Sequence, residues 1–239
     1  MKKQSKKIGF LWILVWFLIY ATYLVLAAIK ETDFIATIFK YAGIILCFVY
    51  VLFNARSDVY LVIALGATVV ADGILTINNV SLAGVVVFIM VQAAHLIRFT
   101  RIRAVSPIIP LIVTALIVGV GLLQTEISLM FVLAIAYGTL MFTNIYQALR
   151  WNAIEKSRAS RLALFGFILF LMCDIWVGVS YVTTTATAPH LITMAANYIA
   201  WVFYLPAQVC IALSGIRVAE FEKAVELPNI DLDARAQGL

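Results

Sequence analysis

The sequence predicts an all-α, polytopic membrane protein, a bundle of about eight transmembrane helices with both termini cytoplasmic. Three observations lead there. Of the 239 residues, 64% are hydrophobic and 12% are charged, and the mean hydropathy is +1.06. An ordinary soluble domain carries roughly 45–50% apolar and about 25% charged residues. A fold of this length has too little interior to hide such a share of apolar surface, so lipid must replace water around much of it. The apolar residues are also gathered into runs near the roughly 20 residues that a helix needs to cross the hydrocarbon core with its backbone groups satisfied. Finally, basic residues recur on alternate connections between those runs.

The first run, 8–28, follows Lys2, Lys3, Lys6 and Lys7. It lacks the short apolar region and small-residue cleavage site of a secretory signal, so it is expected to be retained as a helix over 9–28. Further spans are expected near 34–53, 59–75, 81–99, 106–123, 127–149, 162–181 and 191–214. Charges and turn-formers separate them: Lys30 to Asp33, Asn54 to Asp58, Thr76 to Val80, Thr100 to Ser106, Gln124 to Glu126, Trp151 to Arg161, and Val182 to His190. Short connections make consecutive helices antiparallel neighbours. Residues 1–216 therefore read as a single eight-helix domain, followed by a polar cytoplasmic tail over 217–239, partly disordered toward its end.

The clusters Lys2/Lys3/Lys6/Lys7, Arg56, Arg98/Arg101/Arg103, Arg150/Lys156/Arg158/Arg161 and Arg217/Lys223 fall on one side of such a bundle, and the other side has only Lys30 near a membrane end. The positive-inside rule makes the basic side cytoplasmic, which requires an even number of spans. The net charge of +5 is accounted for by the membrane surface, and no nucleic-acid partner is needed. Cys47, Cys173 and Cys210 sit in apolar runs without CxxC spacing and read as small buried hydrophobes.

Ionisable groups at membrane depth are costly unless they face the bundle interior, which makes them functional candidates. These are Lys40, Asp72, His95 and Asp174, with Glu126 at a helix end. The amides and hydroxyls Asn144, Gln147, Asn197, Tyr198, Tyr204 and Gln208 join them. At about 1.5 Å rise per residue, Asp72 and Asp174 each lie about 18 Å along a helix that enters from the cytoplasmic side. Lys40 lies about 9 Å below the outward end of its span, close to the same layer. Two carboxylates close together in a poorly hydrated cavity cannot both ionise cheaply, so such a pair can act as acid and base. A buried charge cluster that only fixes packing is the competing reading, as is a proton or cation path, and Lys40 has the further option of snorkelling outward. His95, deeper toward the cytoplasm, suits either substrate contact or a structural hydrogen bond, and no second histidine lies near enough to suggest a metal. Pro206 interrupts the backbone bonding of the last span, which fits a cavity lining or a packing bend. No GxGxxG, phosphate loop, HExxH or GxSxG motif is present, which argues against nucleotide-driven transport and serine hydrolysis within this chain.

Ala64-Leu65-Gly66-Ala67-Thr68-Val69-Val70-Ala71-Asp72-Gly73, followed by Gly84 to Phe88 and Ala94-His95, resembles the aspartate-bearing helix and the next segment of the YhhN, or lysoplasmalogenase-like, membrane family. Phe165 to Asp174 resembles a later helix of that family ending in Ser-Asp, and Tyr204-Leu205-Pro206-Ala207-Gln208 its last-helix Tyr-x-x-Ala-Gln. The ordered set covers about residues 10 to 214. Ala71 replaces a usual glycine, Cys173 a frequent serine, and of a Thr-Lys-Pro element only Lys40 remains. The resemblance implies a helical bundle around a lipid-accessible cavity. It also implies hydrolysis of the vinyl ether bond of lysoplasmalogens to a fatty aldehyde and a glycerophospho-base. Asp72 and Asp174 are then the expected catalytic residues, with Lys40, His95, Asn144, Asn197, Tyr198, Tyr204 and Gln208 contacting or orienting a membrane lysolipid. No metal or organic cofactor is expected, and short loops fit a bacterial plasma membrane. The alternatives are a membrane carrier or lipid-binding protein without hydrolytic activity, a structural subunit, and an enzyme of like mechanism on another lipid. The loose likeness of the two aspartate helices hints at a parallel four-helix repeat.

Overall fold

The computed structural model describes residues 2–29, 33–77, 81–101, 107–123, 128–185 and 190–215. Among them are eight helices: α1 (Lys2–Ile29), α2 (Asp33–Asn54), α3 (Val59–Ile77), α4 (Leu82–Arg101), α5 (Ile108–Leu123), α6 (Leu129–Glu155), α7 (Arg158–Thr185) and α8 (His190–Leu213). The chain is all-α, and seven of these helices are long and apolar enough to cross a membrane. α5 has 16 residues and reaches about 24 Å at the helical rise, short of the roughly 30 Å hydrocarbon core. Glu126 and the tail over 217–239 lie outside the described residues.

Several boundaries differ from expectation. Trp151 to Arg161 was expected to be a loop, yet α6 runs to Glu155 and α7 begins at Arg158. Charge ends the apolar run there but not the helix, because a helix leaving the membrane exchanges lipid for water without losing its backbone bonds. The turn between them is tight. Lys156 takes a left-handed conformation at φ 50° and its N–H donates to Asn152 O at 3.0 Å, closing α6. Ser157 Oγ then accepts from Ser160 N at 3.1 Å and opens α7. Ser128 caps the other end of α6, accepting from Phe131 N at 3.3 Å. α7 likewise extends through Thr185, into the connection expected from Val182 onward.

Six helices close into a ring in the order α2, α3, α4, α6, α7, α8 and back to α2. α1 packs outside α2, with a slight contact to α8, and α5 packs outside α6. Each principal contact in the first half has a counterpart in the second: α1·α2 with α5·α6, α2·α3 with α6·α7, α3·α4 with α7·α8, and α4·α6 with α8·α2. The helices of the two halves thus pair in the same order. The outer faces of α1 and α5 are apolar and exposed, with Phe17, Leu18, Leu116 and Leu123 among the most open side chains, as suits lipid contact.

α7 and α8 share the largest contact in the bundle. Ala163, Phe167 and Phe170 on α7 face Ala200, Tyr204, Ala207 and Ile211 on α8, all of them buried in one core. Gly166 sits at the crossing: a Cβ there would meet Ile211 Cγ1 at 2.8 Å and the Ala207 carbonyl at 3.1 Å. A small residue lets the two backbones approach, the main source of helix association where lipid removes the hydrophobic drive.

One end of the bundle is fastened by Arg98, which the basic pattern had assigned to a membrane edge and which is 1% exposed. Its Nε donates to Asp58 Oδ2 at 2.8 Å, Nη1 to Ser214 Oγ at 3.1 Å, and Nη2 to Ser214 O at 2.8 Å. Asp58 also accepts from Leu61 N at 3.3 Å, capping α3. The guanidinium thus joins the start of α3 to the ends of α4 and α8, a placement that also suits the helix dipoles. Trp151, at the far end of α6, lies 5.7 Å from the guanidinium and 6.0 Å from Phe99. α4 and α6 therefore finish at the same end, so α5 carries the chain back across the bundle between them.

Two stability predictions follow from this packing. Gly166→Leu overpacks the α7–α8 crossing and should cost about 1–3 kcal/mol, read as a lowered thermal midpoint in detergent. Arg98→Ala leaves Asp58 without its charge partner and should cost about 3–5 kcal/mol. The double substitution Asp58→Ala/Arg98→Met should cost less than Arg98→Ala alone, and an equal or larger loss would show that the pair itself is not the source.

Candidate functional site

The interior of the ring collects polar side chains from all six of its helices. On α3, Asp72 is buried, and its Oδ2 accepts from the Tyr204 hydroxyl of α8 at 2.7 Å. On α7, Asp174 is partly buried, and its Oδ2 accepts from the Tyr137 hydroxyl of α6 at 2.7 Å. Gln92 of α4 donates to that phenol through Nε2 at 3.4 Å. Asn144 of α6 donates to both the backbone O of Gln92, at 2.9 Å, and its Oε1, at 2.8 Å. Asp174, Tyr137, Gln92 and Asn144 are therefore one hydrogen-bonded series, polarised toward the carboxylate.

The two carboxylates make no hydrogen bond to one another. Each has its own phenol, and the phenols are joined by packed rings: Tyr137 to Phe88 at 6.3 Å, Phe88 to Phe170 at 6.3 Å, and Phe170 to Tyr204 at 5.5 Å between centroids. Cys173, next to Asp174 in sequence, is buried in the same core. The site is thus two Asp–Tyr units in one interior rather than a directly bonded carboxylate pair.

Lys40 does not snorkel outward. Its Nζ lies 3.6 Å from the centroid of the Trp201 ring, a cation–π contact. Trp201 in turn packs edge-on to Tyr204 at 5.0 Å, and the Lys40 charge acts on Asp72. Its neighbour Tyr41 donates to Val69 O at 2.9 Å, tying α2 to α3 within a turn of Asp72. Lys40, Trp201, Tyr204 and Asp72 form a second continuous group.

His95 and Gln208 are each 1% exposed within the ring. His95 packs edge-to-face on Phe167 at 5.1 Å. Of the other two expected contact residues, Asn197 lies two turns before Tyr204 on the same face of α8 but is exposed, and Tyr198, turned a further 100° or so, is partly buried. Sequence reasoning missed Tyr137, Gln92 and Trp201 as site residues. Tyr137 sits on α6 seven residues, two turns, before Asn144 and so shares its face; that spacing was the available signal.

Among the described residues no group of three or more His, Cys, Asp and Glu is gathered as for a metal ion. A small apolar crevice of about 20 Å³ lies outside the ring between α1, α2 and α8, lined by Trp12, Trp16, Cys47, Tyr50, Val209 and Leu213. None of the residues around the aspartates contributes to it.

Neither a curated protein nor a solved structure matches the chain significantly. Residues 35–215 match the YhhN family, a stretch from the first turn of α2 to just past the end of α8 that contains both aspartates and the polar residues around them. An integral membrane bundle with this match over most of its length belongs to the YhhN family.

Proposed function

We propose that the protein hydrolyses the vinyl ether bond of lysoplasmalogens, with Asp72 and Asp174 as the catalytic residues. Family membership supports a lipid-related membrane function in general. The observation that carries the finer reading is that two intramembrane aspartates, each fixed by a phenol, line one interior.

The chemistry asks for two carboxyl groups in different roles. A general acid protonates the β-carbon of the vinyl ether, giving an oxocarbenium ion. A carboxylate stabilises that cation and takes a proton from the water that adds to it. The resulting hemiacetal passes a proton to its ether oxygen and collapses to the aldehyde and the free glycerol hydroxyl, so the net reaction consumes one water. Lys40 places positive charge on the Asp72 side, which suits Asp72 to the carboxylate role and leaves Asp174 as the acid. Tyr204 and Tyr137 hold the two carboxyl groups in orientation. Both termini are assigned to the cytoplasm of a bacterial plasma membrane, with all eight helices crossing it.

The second reading is a lipid carrier without hydrolysis, favoured by the repeat-like contact pattern around a polar interior. Product analysis by mass spectrometry separates the two. Purified protein with a lysoplasmalogen should release fatty aldehyde, and Asp72→Asn and Asp174→Asn should each lower the rate by about 10²-fold or more. Uptake into liposomes with no product would favour the carrier. Tyr204→Phe removes one hydrogen bond to the Asp72 carboxylate, about 1.5 kcal/mol or more, and should cost about tenfold; Tyr137→Phe removes one to the neutral Asp174 acid, about 1 kcal/mol, and should cost about fivefold. Full activity in either aspartate variant would overturn the assignment.

A further inference from the structure

Three polar atoms inside the ring are buried without a partner among the protein's own groups: His95 Nδ1, Asn144 Oδ1 and Gln208 Nε2. Their residues are 1%, 0% and 1% exposed, and they come from α4, α6 and α8. By the helical rise they fall within about two turns of one another along the bundle. The Asn144 amide is held at the Gln92 carbonyl, one turn above His95. Gln208 stands one turn beyond Tyr204 toward Ser214, roughly 6 Å along the axis. Phe167 packs edge-to-face on His95, and the preceding Gly166 abuts the Ala207–Ile211 turn of α8, the turn that carries Gln208.

A buried donor or acceptor left unmatched costs about 1–3 kcal/mol, and nearly all such groups in proteins are met by protein or by ordered water. An amide oxygen, an amide N–H and an imidazole nitrogen supply the donors and acceptors that ordered water needs: water can accept from Gln208 and donate to Asn144 and His95, with two to four bonds for each buried molecule. The Asn144 amide then leads through Gln92 and Tyr137 to Asp174. In the other direction, Trp151 Nε1 is also buried without a partner and sits beside Arg98 at the bundle end.

We propose that His95, Asn144 and Gln208 form an ordered water site between the Asp–Tyr units and the Arg98–Trp151 end, supplied from that end, and that it provides the water consumed in hydrolysis. The role in hydrolysis rests on the function proposed above; the water site itself does not. It gives water an approach separate from the lipid's.

X-ray radiolytic footprinting of the full chain in nanodiscs tests the site directly, since radicals formed from bound water modify the side chains beside it. Phe167 and His95 should be labelled several-fold faster than Phe170, which is equally buried one turn away. Gln208→Met should abolish the difference at Phe167, lower the thermal midpoint, and reduce kcat for aldehyde release several-fold with KM unchanged. Equal labelling of Phe167 and Phe170 in the unmodified protein overturns the water site, as does a raised midpoint in Gln208→Met, the result expected when a dry unmatched amide is removed. Labelling as expected with no aldehyde released by the unmodified protein leaves the water site standing and overturns its hydrolytic role along with the proposed function.

Discussion

A carboxyl group or guanidinium inside a bundle surrounded by lipid has no bulk water to fall back on, and the arrangement of the ring follows from that. Asp72, Asp174 and Arg98 each obtain partners from a different helix than their own: Tyr204 on α8, Tyr137 on α6, and Asp58 with Ser214 at the ends of α3 and α8. Each of these bonds requires a neighbouring helix in one rotation and at one height. Packing alone is permissive between apolar helices, whose side chains gain little by leaving lipid for one another. The polar contacts remove that freedom, and the small residues at the α7–α8 crossing let the backbones come close enough to satisfy them.

The contact pattern is nearly symmetric, but the interior is not. Tyr204 reaches Asp72 from the last helix of the other half, whereas Asp174 is served by Tyr137 from the adjacent helix of its own half, with Gln92 behind it. Only the Asp72 side has a lysine, and that lysine is spread over Trp201. Two similar halves have thus been given different surroundings for the same side chain. A reaction that needs one acid and one base gains from such divergence, while a channel passing one ion between equivalent sites does not.

The helices were legible in the sequence because lipid imposes a single rule, a run of about 20 apolar residues, and the chain obeys it seven times with one shorter case. What was misjudged lies where that rule stops. Trp151 to Arg161 is charged but helical, since the backbone continues past the membrane. Arg98 was counted as an interfacial charge, and nothing local says that Asp58, forty residues away, turns it inward. For the site, Asp72, Asp174, His95, Asn144, Tyr204 and Gln208 stood out as polar residues within apolar runs, and the structure places all six inside the ring. Tyr137 and Gln92 did not stand out, because tyrosine is common at membrane interfaces and a helix face is chosen by its neighbours. Asn197 shares the Tyr204 face but sits two turns nearer the start of α8, where it is exposed.

The ring has a seam. α2 and α8 meet across it although they are separated by more than half the chain, and α8 leaves the ribosome after the other seven described helices. Until it arrives, Asp72 has no phenol, Arg98 has only Asp58, and the interior that later holds the aspartates is open along one flank. Docking of α8 supplies Tyr204 to one and Ser214 to the other in the same event. A single closure therefore creates the candidate site and locks the ring together, so a chain stopped before α8 is left with a breached, polar-lined groove open to the cell's quality control.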